Sequence, residues 1–186
     1  MDLSLIDAIL KGYLPASGTV LDVGCGEGRN GLYFIRTGFE YLGIDQDSSK
    51  IRLLEYLSSS LSNANASFKV GTMQEISFEN RFDLVVASRI LHFSEDRLDF
   101  LSIWEKLISS MKAGAVIYFA MDSAIATEFV LQKTNGFSEF CDGRVSFALT
   151  EPLYQEMKVD LVEVEPLKTI IYQNQRVQSF GLLRKL

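Results

Sequence analysis

The sequence is nearly devoid of cysteine: Cys25 and Cys141 are the only two. Far apart and without ligand-like spacing, they argue against a disulfide framework and fit a reducing cytoplasm. No apolar run reaches the roughly 18–20 residues that a membrane-crossing helix needs. The N-terminal stretch MDLSLIDAILKGYL is interrupted by Asp2, Asp7 and Lys11, which argues against a signal peptide. Basic clusters are missing too: nothing longer than the RK near the C-terminus occurs, and the net charge is −6. Phosphate backbones dominate nucleic-acid affinity, so this balance argues against a nucleic-acid partner. There is no internal repeat, low-complexity tract or linker. Hydrophobic residues make up 47% and charged residues 23%, a globular composition. A soluble, cytoplasmic, single domain over residues 1–186 is expected, large enough to bury its own core.

What is present alternates. Leu3, Ile6, Ile9 and Leu10 stand at helical spacing and predict an N-terminal helix within residues 1–14. TVLDVG predicts a strand, the segment from Gly28 to Arg36 a helix capped by Gly38, and EYLGID a second strand. SSKIRLLEYLSSSL predicts a helix with Asp47 or Ser48 as N-cap and Ile51, Leu54, Leu57 and Leu61 on one face. ASFKV and FDLVVAS predict two more strands, the latter apolar enough to be buried on both sides. EDRLDFLSIWEKLISSMKAG predicts a long helix whose core stripe is Leu98, Leu101, Leu107, Ile108 and Met111, stopped by Gly114. AVIYFAMD is a fifth strand. Strand–helix alternation of this kind predicts an α/β fold, doubly wound around a mostly parallel sheet. The last third differs. Residues 122–148 have no clean period and carry Phe129, Phe137, Phe140 and Phe147, which suit either an apolar substrate cap or a small secondary core. LTEPLYQEMK predicts a short helix. Two final strand-like runs, separated by Asn174 and Gln175, must be antiparallel. The expected sheet therefore has seven strands and closes in a C-terminal hairpin.

The most informative stretch is VLDVGCGEGRN. Gly24, Gly26 and Gly28 fall at first, third and fifth positions between a strand and a helix. Glycine there permits positive φ and close approach of a ligand to a backbone whose N–H groups are expected to be free. A phosphate-binding loop needs Gly-Lys-Ser/Thr, which is missing; a dinucleotide fingerprint needs glycine at the sixth position, where Arg29 stands. The second strand ends in Asp45, 21 residues beyond Gly24, where a carboxylate can accept hydrogen bonds from both hydroxyls of a ribose. Together these features point to a nucleoside ligand. The structural alternative is a turn that only packs a helix on a strand, with Asp45 as a cap.

VLDVGCGEG followed by YLGID resembles the class I S-adenosylmethionine-dependent methyltransferases, over roughly Val20 to Phe119. The CGEGRN, YF and TGFE segments are similar to small members of the tellurite-resistance and thiopurine methyltransferase group. The resemblance implies S-adenosylmethionine as cofactor, a Rossmann-like fold and transfer of a methyl group. It implies that Gly24, Gly26 and Gly28 surround the methionine part, that Asp22 holds its amino end and that Asp45, beside Gln46, holds the ribose. After the third strand the family often has an acidic residue near the adenine; here Thr72, Met73 and Gln74 occupy that segment, through backbone and thioether contacts or, for Met73, by ordinary packing. Ser88 would meet the methionine tail.

His92, the single histidine, follows the fourth strand in SRILHFSED. It is the candidate general base, or else a residue that caps the next helix or packs beside the cofactor. Arg89 can pair with an acidic substrate, with Asp22 or with Glu95. Asp122 faces substrate or caps. Cys25 is a candidate for a lowered pKa at a helix N-terminus or a bystander; Trp104 is a core residue and Glu27 a solvated one. The motif that accompanies methylation of nucleobase amino groups is missing, as are a Pro-Cys nucleophile and any metal-ligand cluster. A small-molecule acceptor is therefore expected. The alternatives are a non-catalytic module that binds S-adenosylmethionine or its product and regulates a partner, and an NAD-linked oxidoreductase, disfavoured by the glycine spacing and the closing hairpin.

Overall fold

The computed structural model describes residues 1–61, 65–134, 136–173 and 175–186. Helix α1 (Leu3–Leu10) comes first. Then follow β1 (Thr19–Val23), α2 (Gly31–Arg36), β2 (Glu40–Asp45), α3 (Ser48–Ser59), β3 (Ala66–Val70), β4 (Phe82–Ser88), α4 (Arg97–Ser110) and β5 (Met111–Asp122). Three short strands β6 (Val130–Thr134), β7 (Phe137–Phe140) and β8 (Val145–Phe147) lead to α5 (Glu151–Met157), β9 (Leu161–Ile171) and β10 (Val177–Lys185). The main sheet has seven strands in the order β3-β2-β1-β4-β5-β10-β9. Its first five strands are mutually parallel. β10 runs antiparallel to both β5 and β9. This is the seven-stranded, doubly wound sheet closed by an antiparallel C-terminal hairpin, of which β10 alone runs against the rest. Asn174, expected in the hairpin turn, lies outside the described residues.

Side chains alternate across the strands, so each strand feeds two cores. On one face Val20, Tyr41, Val86, Tyr118 and Phe180 pack with α1 and α2. On the other Leu21, Val85, Ile117 and Phe119 pack with α4 and α5. α3 starts on Asp47, whose side chain accepts from the N–H groups of Ser49 and Lys50, and buries Ile51 and Leu54. Burying one such leucine fully contributes about 1.5–3 kcal/mol.

The core stripe of α4 is phased differently from the sequence expectation. Phe100, Ile103, Trp104 and Leu107 are buried, whereas Leu98 is exposed. The helix ends at Ser110, and Met111 already opens β5. The reason is aromatic packing: the Phe100 ring lies parallel to Trp104 and stacks on Phe147, and Trp104 meets Phe119 edge-on. Such pairs contribute about 0.5–1.5 kcal/mol beyond the area they bury. Gly114 does not stop the helix; it sits within β5 at φ +77, where the pairing with β4 shifts register.

The irregular segment resolves into a separate three-stranded antiparallel sheet, β6-β7-β8. Of the two readings of its phenylalanines, the packing matches a small secondary core. Phe140 packs with Ala124 and Ala148 in a satellite cluster, and Phe147 belongs to the main core. Its isolated bridge at Ser123 and Leu149 ties it to the carboxyl end of β5.

Candidate functional site

The carboxyl ends of β1, β2 and β4 converge on the glycine turn. Gly24, Gly26 and Gly28 all have positive φ, at +69, +55 and +81. Their N–H groups are not free as the sequence suggests. Those of Gly24 and Cys25 both donate to the Ile44 carbonyl, at 2.8 and 3.0 Å, and that of Gly28 to the Cys25 carbonyl. Gly26 N–H donates to Asp45 Oδ2 at 2.8 Å. What the glycines supply is room. A Cβ on Gly26 would project into open space. A Cβ on Gly28 would come within 2.3 Å of Leu54 Cδ1, so that glycine serves the packing of α3.

A cleft of about 580 Å³ opens beside this turn. Gly24, Gly26, Asp45, Gln46, Thr72, Met73 and Gln74 line it, together with Lys50, Arg89 and Phe93. An adjoining cavity of about 270 Å³ shares Gly24, Gly26 and Lys50 and adds Asp22, Arg29, Asn30 and Ser88. Of the residues singled out from the sequence, Gly28, His92, Trp104 and Asp122 line neither. Asp45 is half-buried and pre-oriented: Oδ1 accepts from Asp47 N–H at 2.9 Å while Oδ2 holds Gly26. Each oxygen keeps a second lone pair for a ligand. Thr72 caps a 3₁₀ turn at Met73–Glu75 in a reciprocal capping box with Glu75. Met73 is buried, and Gln74 donates to Asp99 of α4 at 3.3 Å.

Asp22 ends the inward face of β1 and accepts from Tyr41 Oη at 2.8 Å. Burial pushes its carboxyl up to about 7, against the pull of the Tyr41 hydrogen bond. Burial and the neighbouring Asp22 and Asp45 also push the Cys25 thiol well above its ordinary range. Cys25 is therefore an inert packing residue and not an activated thiol. Trp104 is a core residue whose Nε1 donates to the Met157 carbonyl at 3.1 Å, and Glu27 is exposed.

Two polar hubs flank the cleft, and the sequence announces only some of their members. The first is Asp2, N-cap of α1 and 3% exposed. It accepts from Ser88 Oγ. It pairs with Arg29 at 2.6 Å and with Arg89 at 3.6 Å. Its own N–H donates to Asn30 Oδ1. Arg89 is thus tied to Asp2 rather than to Asp22 or Glu95. It holds φ +61, a left-handed conformation that a non-glycine residue keeps only when its surroundings enforce it. The second hub is Asp122 at the end of β5. Arg144 donates to it at 2.9 Å, Ser146 at 3.0 Å, Arg176 at 3.0 Å and Gln178 at 3.2 Å. Burial opposes its charge, yet His92, Arg176 and Arg144 hold its carboxyl below the usual range. His92 sits nearby in the 3₁₀ turn Leu91–Phe93, and burial lowers its pKa. Of the hub members the sequence singles out Ser88, Arg89, His92 and Asp122; their partners Asp2, Arg144, Arg176 and Gln178 lie far away along the chain.

Among the described residues no group of three or more His, Cys, Asp or Glu side chains stands ready to hold a metal ion. None of the described helices is long and apolar enough to cross a membrane.

A parallel sheet with one reversed strand, the last in the chain, a glycine turn after β1 and an acid ending β2 define a class I methyltransferase. A family model described as "Methyltransferase domain" matches residues 15–158, and the chain belongs to that family of S-adenosylmethionine-dependent enzymes. It is similar to the ubiquinone biosynthesis O-methyltransferase of Rickettsia bellii, 24% identical over 166 residues that cover 82% of this chain and 65% of that one. The chain thus spans just under two thirds of the length of the curated relatives it matches. Among solved structures it is similar to an S-adenosylmethionine-dependent methyltransferase of Methanosarcina mazei, with TM-score 0.75, 22% identity and coverage of 96% and 97% of the two chains. It is also similar to the 1,6-didemethyltoxoflavin N1-methyltransferase of Burkholderia thailandensis, with TM-score 0.73, 18% identity and coverage of 98% and 76%.

Proposed function

We propose that this protein transfers the methyl group of S-adenosylmethionine to a small-molecule acceptor in the cytoplasm. The observation that carries the reading is the pair of adjoining cavities around Gly24 and Gly26, with a carboxylate at each end, Asp22 and Asp45. The residues suit the cofactor. Open space over Gly26 admits a ligand against the main chain. Asp45, Gln46, Thr72, Met73 and Gln74 would receive the nucleoside; Asp22 and Ser88 would receive the amino-acid tail. When bound, S-adenosylmethionine supplies a methyl group that is already electrophilic, so the chain need only position, desolvate and handle a proton. The buried Nδ1 of His92, which has no hydrogen-bond partner among the described residues, would be the atom to take a proton from the acceptor. The Rickettsia bellii relative is by name an O-methyltransferase, which supports a hydroxyl acceptor and hence the need for a base. A net charge of −6 supports a small molecule over nucleic acid, and two free cysteines support a reducing compartment.

The test is a calorimetric titration with S-adenosylhomocysteine. Binding in the micromolar range is expected. Silence at several hundred micromolar, with NAD bound instead, would overturn the assignment.

A further inference from the structure

Asp2 stands at the N-cap of α1, yet its side chain makes no capping bond to its own helix. An acid in that place ordinarily accepts from the first N–H groups of the helix. Asp2 turns its carboxylate the other way. Oδ1 pairs with Arg29 Nη1 at 2.6 Å; Oδ2 accepts from Ser88 Oγ and, at 3.4 Å, from Asn30 Nδ2. Arg29, Asn30 and Ser88 all line the smaller cavity, and Asp2 lies buried behind them. Its remaining partner, Arg89 at 3.6 Å, lines the cleft. A buried carboxylate is costly unless it is paired and hydrogen-bonded, and here every side-chain partner belongs to a cavity wall. The apolar anchoring of α1 does not call for the acid, because Leu5 and Ala8 already pack in the core.

The charged residues lining the smaller cavity are Asp22, Glu27, Arg29 and Lys50; those lining the cleft are Asp45, Lys50, Arg89 and Glu95. Neither wall has an excess of one sign. Balanced signs suit a zwitterion, and the amino-acid tail of S-adenosylmethionine is one, with an ammonium and a carboxylate on the same carbon. Asp22 suits the ammonium, and it feels the charges of both Asp2 and Arg29, which places the three groups together. Two cations of that cavity could take the carboxylate. Lys50 is 46% exposed and meets Asp47 only at 4.0 Å. Arg29 is equally exposed but held, with Nη1 on Asp2 and Nη2 at 3.4 Å from Ser88 Oγ. It keeps further N–H donors in a planar fork that matches a carboxylate. We propose that Arg29 receives the carboxylate of the cofactor's tail and that Asp2 is the positioning residue that holds Arg29 there, so that seating of α1 and capture of the tail are coupled. This rests on the reading that the neighbouring cleft holds the nucleoside. It gives α1, which lines neither cavity, a part in ligand binding.

The experiment compares two ligands that differ in the tail: S-adenosylhomocysteine, and methylthioadenosine, which keeps the nucleoside and lacks the amino acid. Calorimetry on the full chain should find S-adenosylhomocysteine bound at least about tenfold more weakly by Arg29→Gln, the worth of one charge-assisted hydrogen bond. Asp2→Asn should weaken it by about threefold or more through lost preorganisation. The double variant should be little worse than Arg29→Gln alone, because Asp2 acts through that side chain. Methylthioadenosine should bind the parent and the variants alike. The unaltered protein supplies a second readout. Coupling is reciprocal, so S-adenosylhomocysteine should slow amide hydrogen exchange in α1 more than methylthioadenosine does at equal saturation. Should a variant fail to fold, that exchange decides. Equal losses for both ligands in the variants, the mark of an acid that only anchors α1, overturn the proposal. So does α1 exchange that responds alike to both ligands, or a variant that binds S-adenosylhomocysteine as the parent does. Methylthioadenosine bound by the parent as tightly as S-adenosylhomocysteine would refute the tail contact and leave the nucleoside site standing. Silence of the parent with both ligands would strike the cofactor reading and the proposal with it.

Discussion

Asp22 shows how one side chain can link pH, stability and ligand. Its carboxyl ionises near 3.8 in the unfolded chain but only near 7 in the fold, because burial penalises the charge. The folded state therefore holds its proton more tightly, and stability falls as pH rises between about 4 and 7, by up to ~1.4 kcal/mol per unit. Asp22→Asn should remove that slope: urea unfolding is expected to show the variant gaining on the parent from pH 4 to pH 8. In the proposed complex the ammonium of the amino-acid tail meets the ionised form. Affinity for S-adenosylhomocysteine should then rise up to about pH 7 and level off, a dependence that calorimetry should find missing in Asp22→Asn. Asp45 is the complementary case. Asp45→Ala removes the proposed ribose acceptor and frees two backbone N–H groups, so an affinity loss of about 1–3 kcal/mol is expected. Asp45 stands out in the sequence as an acid that ends the strand after a glycine turn, whereas Asp22 is singled out only through the family resemblance. Arg144 and Gln178 are not singled out, since their chemistry comes from neighbours distant along the chain.

At the scale of elements, the turn from β1 to α2 separates two glycine functions that look identical in sequence. Gly28 faces Leu54 of α3, and Gly26 faces open space. Gly28→Ala adds left-handed strain and overpacking, at a cost of about 2–4 kcal/mol. A lower denaturant midpoint is expected, with ligand affinity of the folded fraction little changed. Gly26→Ala should cost only the strain, about 1–2 kcal/mol, yet weaken S-adenosylhomocysteine binding at least as much as it weakens the fold. The same scale explains the misphased α4. Leu98, Leu101, Phe100, Ile103, Trp104 and Ile108 surround much of the helix, so period alone does not choose a face; the ring of Phe147 does. The strands β6 to β8 are too short, and too exposed on one side, to leave a period in their sequence.

At the scale of the whole molecule, the main sheet ends in β10 and β9, and the small sheet hangs from the end of β5. The two cavities bring together the glycine turn, the end of β2, the first turn of α3 and the segments after β3 and β4. A ligand seated there contacts elements that otherwise share few bonds, and it stabilises the fold by mass action. S-adenosylhomocysteine at a hundred times its dissociation constant should add about 2.7 kcal/mol. For a chain of this size that is a rise of roughly 5–10 °C in thermal midpoint. Differential scanning calorimetry would read it, and an unchanged midpoint would contradict a site that binds only the folded state.

By itself the sequence determined the alternation of strands and helices, the antiparallel final hairpin and the glycine turn with its acid, because each depends on local periodicity or on one residue's conformational freedom. Tertiary structure alone decided which glycine borders open space and which a neighbouring helix, which side of α4 is buried and which charges surround His92. Those outcomes depend on distances between residues that lie far apart in the chain, and no local pattern encodes a distance.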